Sequence, residues 1–383
     1  MATGLVFPVV SSLAPVDAAM RSPIRPLEQE DIPAVARLYQ VVMRGGSDEP
    51  PAFLEPFFER TLLDQPWADS TIPSLVYVEE GEIVGFIGSN VRRMRFDGRP
   101  VTMACSAHQI AHPRVRKRAV GALLMRKYMS GPQDLTITDG ATEPVRRMWE
   151  GLGGRTVHAC CFSYAYVFRP WRLVLGRVAE RFGVHRVEPA VAPLAAGLDW
   201  ATAAVWPGLR RVAPPATDVE PLTPQLLLEL LPAVDRAVRL RVDYDLPYLG
   251  WLFQELDREQ PTLWKRGVRR GKLWAEVLHR DGRPVGWYVC QLRAGLPCRV
   301  LQIAATSTET DIVLTQLLHR ASARGATGVY GRVEPRLVGP LSVGRGFLRF
   351  SEGRMLVSAR DPELVNAVVR GDALLTRLDG EWW

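Results

Sequence analysis

Cysteine is scarce and scattered. Five cysteines in 383 residues are too few and too irregular for a disulfide framework. Cys160 and Cys161 are neighbours on an expected strand over 159–167, so their side chains face opposite sides and cannot form a metal pair. No metal site is expected. No run of eighteen apolar residues occurs, so no segment reads as a spanning helix. Residues 1–21 lack a basic stretch before Leu5-Val-Phe-Pro and read as a flexible leader, not a signal peptide. These absences point to a reducing, cytoplasmic setting. Nucleic acid is not an expected partner: interleaved aromatics, zinc spacing and a helix-turn-helix pattern are all missing.

What is present is an apolar chain with a mild basic excess. Hydrophobic residues make up 47% of it and the formal charge is +7, enough for two domains and suited to anionic ligands or an anionic surface. The most informative stretch is Ile110-Ala-His-Pro-Arg-Val-Arg-Lys-Arg-Ala-Val-Gly-Ala-Leu-Leu124. An apolar run stops at His112-Pro113, a basic loop follows, and a helix opens near Ala119. Proline cannot extend a strand ladder, and Leu123, Leu124 and Tyr128 recur at helical spacing. A loop ending in a helix N-terminus offers unpaired N–H groups and partial positive charge to a pyrophosphate, and Arg116, Lys117 and Arg118 add cations.

This loop resembles the acyl-CoA loop of the GNAT acyltransferases, Arg/Gln-x-x-Gly-x-Gly/Ala, with Ala119 where the family usually has its first glycine. A positive φ would cost that alanine more than glycine. The flanking segments follow the family's order. A short strand at Ile24 leads into a helix begun by acidic residues and Pro33. A hairpin over 74–88 turns at Glu80-Gly81, and a strand over 134–138 enters a helix from Thr142 to Gly154. The last segment is similar to Asn-x-x-Ala-x-x-Leu-Tyr-Glu-Lys-Leu-Gly-Phe, sharing Glu150, Leu152 and Gly153. Trp149 replaces its tyrosine and Gly154 its phenylalanine.

The same order returns about 200 residues later. Val219-Glu-Pro-Leu222 echoes Ile24-Arg-Pro-Leu27, the hairpin at 279–288 echoes 79–87, and Val343-Gly-Arg-Gly-Phe347 falls where 151–154 falls. In the second copy the phosphate loop is gone. Glu309 and Asp311 at the mouth of helix 312–324 suit its dipole but repel a pyrophosphate. The expected architecture is therefore α/β (α+β): two tandem GNAT-like domains, each a mixed, mostly antiparallel sheet flanked by helices. They span 22–170, which binds acyl-CoA, and 217–383, which is degenerate, with a helical, Pro-rich linker over 171–216. The linker is rich in Trp, Leu and Arg. It reads as helices packed between domains or as an element lying on a membrane surface, which makes peripheral membrane contact the alternative setting.

The resemblance implies transfer of an acyl group from acetyl-CoA or another acyl-CoA to an amine acceptor that the sequence does not identify. The co-substrate would contact Ile110, Ala111, His112, Arg116, Lys117, Arg118, Ala119, Val120, Gly121, Ala122 and Thr142. Backbone N–H groups over 109–112 would face the developing oxyanion. Candidate bases are His108, on the strand before the loop, and Asp139 and Glu143 beside the last helix. For each of these a structural role is the competing reading. Trp149 cannot serve as the acid, which leaves Tyr164 and Tyr166 as substitutes, and Cys105 has no activating partner in sequence. A protein that binds CoA as a scaffold without turnover is the reading from another class.

Overall fold

The structure is a computed structural model that describes residues 22–46, 49–182, 188–205, 215–235, 238–259, 261, 263, 271–306, 309–343, 346–351 and 353–383. The expected leader over 1–21 lies outside the described residues.

The N-terminal half runs β1 (Ile24–Pro26), α1 (Ile32–Met43), α2 (Leu54–Phe58), β2 (Leu75–Glu79), β3 (Glu82–Phe96), β4 (Arg99–Ala111), α3 (Val120–Met129), β5 (Leu135–Ala141), α4 (Glu143–Gly151), β6 (Arg155–Thr156) and β7 (Phe162–Val167). Helices α5 (Pro170–Phe182) and α6 (Glu188–Val205) form the connection. The C-terminal half begins with β8 (Asp218–Pro221), α7 (Pro224–Asp235), β9 (Leu240–Val242), α8 (Leu246–Asp257), β10 (Lys272–Arg280) and β11 (Arg283–Leu292). It continues through β12 (Cys298–Ala305), α9 (Thr310–Ala323), β13 (Gly328–Arg332), α10 (Val338–Val343), β14 (Phe347–Phe350), β15 (Arg354–Ala359), α11 (Pro362–Arg370) and β16 (Ala373–Leu374).

Local chemistry explains the hairpins. Glu80-Gly81 turns β2 into β3 with φ of 52° and 82°, and Asp281-Gly282 turns β10 into β11 with 52° and 71°. Two positive φ values in a two-residue loop match the right-handed twist of the flanking strands, and Gly tolerates them at the second position. A third such turn, Asp97-Gly98, joins β3 to β4.

The strands form two mixed, mostly antiparallel sheets. One has the order β1-β2-β3-β4-β5-β15-β6, with β9 paired to β3 and β16 to β9; the other has the order β14-β7-β13-β12-β11-β10-β8. The sheets do not divide where the chain's halves do. β15, from the C-terminal half, lies between β5 and β6, while β7, from the N-terminal half, lies between β13 and β14. After the two residues of β6, a short 3-10 turn over His158–Cys161 carries the chain across to the other sheet. Cys160 and Cys161 are therefore on a buried turn and not on a strand, which corrects the sequence expectation.

One apolar cluster runs through both halves. Val35 and Tyr39 of α1 and Phe57 and Phe58 of α2 join Leu249, Leu252 and Leu256 of α8 in it. Burying each such side chain is worth about 1.5–3 kcal/mol, so the core the halves share contributes to the stability of both. The opposite face of the first sheet holds α3 through Leu124 and Tyr128. There a Cβ on Gly85 would meet Val120 Cγ1 at 2.6 Å, so α3 lies directly on β3 because that position is glycine.

Candidate functional site

β4 and β5 are parallel neighbours that separate. Their paired positions run from Met103 with Leu135 to Ser106 with Thr138, yet β4 continues to Ala111 and β5 to Ala141. The divergence begins at an irregularity. His108 has φ of 52°, and the β3–β4 register shifts opposite it. The unmatched residue bends β4 away from β5. Beyond this point the N–H of His112 is donated to the carbonyl of Val84. Ladder alternation then turns the N–H of Ala111 toward the gap that β5 has left. Ile110 is buried and pairs with Phe86.

The gap leads to the mouth of α3. Pro113–Arg118 forms a 3-10 turn, and Ala119 closes it in the left-handed region at φ 55°, ψ 28°. The family's glycine position is thus occupied by alanine at glycine's conformation, a cost of roughly 1–2 kcal/mol. The carbonyl of Ala119 accepts from Ala122 and Leu123, and Gln109 Nε2 donates to the carbonyl of Gly121 at 2.8 Å. Val120 packs inward while a Cβ on Gly121 would have only Gln109 within reach, so the backbone there is open to a ligand. Arg118 pairs with Glu79 and Arg114 with Glu82, which ties two of the loop's cations to the β2–β3 hairpin. The side chains of Arg116 and Lys117 lie outside what is described. At the mouth of α4, the Thr142 hydroxyl makes no capping bond.

The three candidate bases have very different surroundings. His108 is enclosed by Tyr39, Phe57, Phe58 and Trp383, with ring centroids 5.2–6.2 Å away. Burial lowers its pKa to about 3, so the ring is neutral near pH 7. Glu143 is gripped by Arg146, Arg147 and Arg354, and hydrogen bonds from Arg146 and then Arg147 pull its pKa down to about 2. Asp139 is buried and paired with Arg332 and with Arg377, the latter at 3.1 Å. Tyr164 and Tyr166 are on β7 and hence in the second sheet, away from this gap. Burial pushes the Cys105 thiol well up, against a nucleophilic role.

A residue that the sequence reading did not single out stands at the β5 arm of the gap. A Cβ on Gly140 would lie 2.6 Å from a carboxylate oxygen of Glu381, and one on Gly380 would lie 2.6 Å from Asp139 Oδ2. Each carboxylate thus approaches the other segment through a glycine. Burial, then Asp139, pushes the Glu381 carboxyl up to about 7, with Arg377 pulling the other way. The Gly380-Glu381 pair was the available sequence signal, but nothing local tells which strand it meets.

The second copy has the same divergence. β12 pairs with β13 only at Cys298 with Val329 and Arg299 with Tyr330. Here the chain fills its own gap. The N–H of Leu378 is donated to the carbonyl of Leu301 at 3.1 Å, Gln302 Nε2 donates to Thr376 Oγ1, and Arg299 donates to the carbonyl of Trp382. Segment 375–383 then runs on to the first sheet, where Asp379 accepts from Tyr244 and its carbonyl accepts from Arg92 of β3, before Glu381 reaches Gly140 of β5. At the α9 mouth, Glu309 pairs with Arg280 at 2.5 Å. The hairpin-to-mouth ion pair of the first copy is present again with its charges exchanged.

No protein-family profile and no curated protein matches the sequence. Solved structures do match. A conserved protein of unknown function from Enterococcus faecalis V583, described as a probable N-acyltransferase, aligns at TM-score 0.54 and 11% identity over 88% of this chain and 72% of that one. A GCN5-related N-acetyltransferase from Kribbella flavida aligns at 0.53 and 14% over 90% and 72%. Another from Anabaena variabilis ATCC 29413 aligns at 0.54 and 10% over 88% and 73%. Each alignment spans both halves. With two mixed sheets that each open at a parallel strand pair, the chain has the fold of the GCN5-related N-acetyltransferases, in tandem.

Proposed function

We propose that the protein transfers an acyl group from acyl-CoA to an amine, at the gap between β4 and β5 of the first copy. One observation carries this reading. The first gap leads to a helix mouth with open backbone and a basic loop, whereas in the second Thr376, Leu378 and Trp382 bond to β12 and the helix mouth is acidic. The pyrophosphate would rest on the N–H groups at the start of α3, with Arg116 and Lys117 nearby in sequence and Arg118 released from Glu79. The thioester carbonyl would reach the N–H of Ala111, which stabilises the oxyanion as it forms.

Attack forms the N–C bond and breaks the C–S bond, the CoA sulfur departs as a thiolate that takes up a proton to become the free thiol, and one proton is removed from the amine nitrogen. Among the candidates, Glu381 is the best matched acceptor for that proton, because its pKa of about 7 lies at the operating pH. His108, neutral with a pKa of about 3, is a weak acceptor and serves as the apolar wall beside the β4 backbone. Glu143 is committed to its arginines and Asp139 to Arg332 and Arg377, so both position neighbouring groups. Acetyl is the acyl group that the resemblance implies by default, and a longer chain is the alternative.

Calorimetry with acetyl-CoA should saturate at one ligand per chain, and Arg116→Glu with Arg118→Glu should abolish binding. Unchanged affinity, or two equivalent sites, would overturn the assignment. With an amine acceptor, Glu381→Gln should lower kcat by roughly 10²–10⁴-fold. It should leave acetyl-CoA affinity intact and remove a pH limb near 7. Binding without release of free CoA thiol across a panel of amines would favour the scaffold reading.

A further inference from the structure

The two helices between the halves carry an apolar face that nothing among the described residues covers. In α5, Trp171, Val174 and Val178 are exposed and recur at helical spacing. In α6, Leu194, Leu198 and Ala201 do the same, with Trp200 beside them. Trp200 is 69% exposed and Leu194 67%, among the highest values for large apolar side chains in the protein. The helices form an antiparallel pair. The Trp171 indole donates to Thr202 Oγ1 at 2.8 Å, and the Trp171 backbone N–H donates to Asp199 Oδ1 at 2.9 Å. With Trp171 set beside Thr202, the antiparallel run brings Val174 level with Leu198 and Val178 level with Leu194. The two stripes therefore lie side by side as one surface.

In the sequence no charged residue falls on either stripe. The only charged residues within α6 are Glu188 and Asp199, and Asp199 is buried against the start of α5, with Arg172 at 3.9 Å. Segment 169–213 holds seven arginines against three acidic residues. Exposed Trp and Leu in an arginine-rich segment suit the boundary between headgroups and acyl chains, where an indole has both an apolar and a polar neighbour.

We propose that the α5–α6 face docks on an anionic lipid surface and holds the protein peripherally against it. A second copy of the chain fits less well. A two-fold contact through this face would bring two arginine-rich segments together, whereas an anionic bilayer opposes them with the complementary charge. No described helix is long and apolar enough to cross the membrane, which agrees with lying on it.

The test uses the full chain and vesicles of phosphatidylcholine with and without phosphatidylglycerol. The protein should sediment with the anionic vesicles only, and added salt should weaken the binding. Leu194→Glu with Trp200→Glu should weaken it at least tenfold while acetyl-CoA affinity stays unchanged. Brominated lipid should quench part of the wild-type tryptophan emission, and the conservative Trp200→Phe should reduce that part, with Trp171 supplying the rest. This readout needs no disruptive variant. Absence of sedimentation with anionic vesicles would overturn the proposal, as would quenching unaffected by Trp200→Phe. So would a dimer seen by analytical ultracentrifugation that the double variant dissociates, because the face would then belong to a second copy.

Discussion

At the scale of single residues, the two departures from the GNAT pattern in the α4 segment are one packing event. Trp149 is fully buried, and a Cβ on Gly154 would fall 1.8 Å from its Cδ1. The larger ring at 149 therefore requires the smallest residue at 154. Gly154→Ala should destabilise the protein by about 1–3 kcal/mol, the usual range for overpacking. Adding Trp149→Phe should recover part of that loss. Denaturant melts in a double-mutant cycle would show the coupling, and strictly additive values would sink the explanation. Ala119 shows how far the sequence could be read. The small residue and the demand for positive φ were visible in the loop pattern, and alanine does take φ of 55°. Glu381 was not visible, since its significance comes from the glycine of a distant strand.

At the scale of elements, the strand exchange decides whether either half folds alone. Without the C-terminal half, β5 loses its antiparallel neighbour β15, and β6 loses the same partner strand. Without the N-terminal half, β13 and β14 both lose β7. The α8 leucines would be exposed as well, because their cluster is completed by α1 and α2. Fragments 22–170 and 217–383 should each be insoluble or lack a cooperative melt, while co-expressed fragments should purify together. A well-dispersed amide NMR spectrum from 22–170 alone would contradict this. Hairpins and helix starts were legible because turn residues and caps act over a few positions. The destination of β7 was not. An alternating apolar strand fits either sheet equally well, and the choice lies in pairings far apart in the chain.

At the scale of the whole molecule, buried ionisable groups between the halves link stability to pH. Burial raises Glu381 and Glu334 to about 7 from an ordinary value of 4.5. In that window the folded state binds more protons than the unfolded state. Their stabilising contribution is therefore complete below about pH 4.5 and lost as pH rises through 7. His108 acts oppositely. Its folded pKa is depressed, so its contribution is present above about 6.5 and lost as pH falls toward 3. Two carboxyls outweigh one imidazole, and each carboxyl carries on the order of 2–3 kcal/mol. Urea unfolding should give the wild type a lower free energy at pH 8 than at pH 5. Glu381→Gln with Glu334→Gln should flatten that fall or reverse it. A double variant with the wild-type slope would show that other groups carry the titration. The fall would coincide with the ionisation that makes Glu381 a base, so the proposed chemistry runs where the fold is weaker.

The sequence by itself determined the local grammar: the hairpin turns, the helix starts, the basic loop before α3, the acidic mouth of α9 and the repetition of one unit. Each is set by residues a few positions apart, through backbone preference, capping or charge at a helix end. Tertiary structure alone decided which sheet received β7 and β15, that Thr376, Leu378 and Trp382 bond to β12 in the second gap, and that Glu381 between them stands at the first. Those outcomes depend on contacts between segments separated by most of the chain. Alternation and composition are equal for the competing partners, so only the fit of the assembled core selects among them.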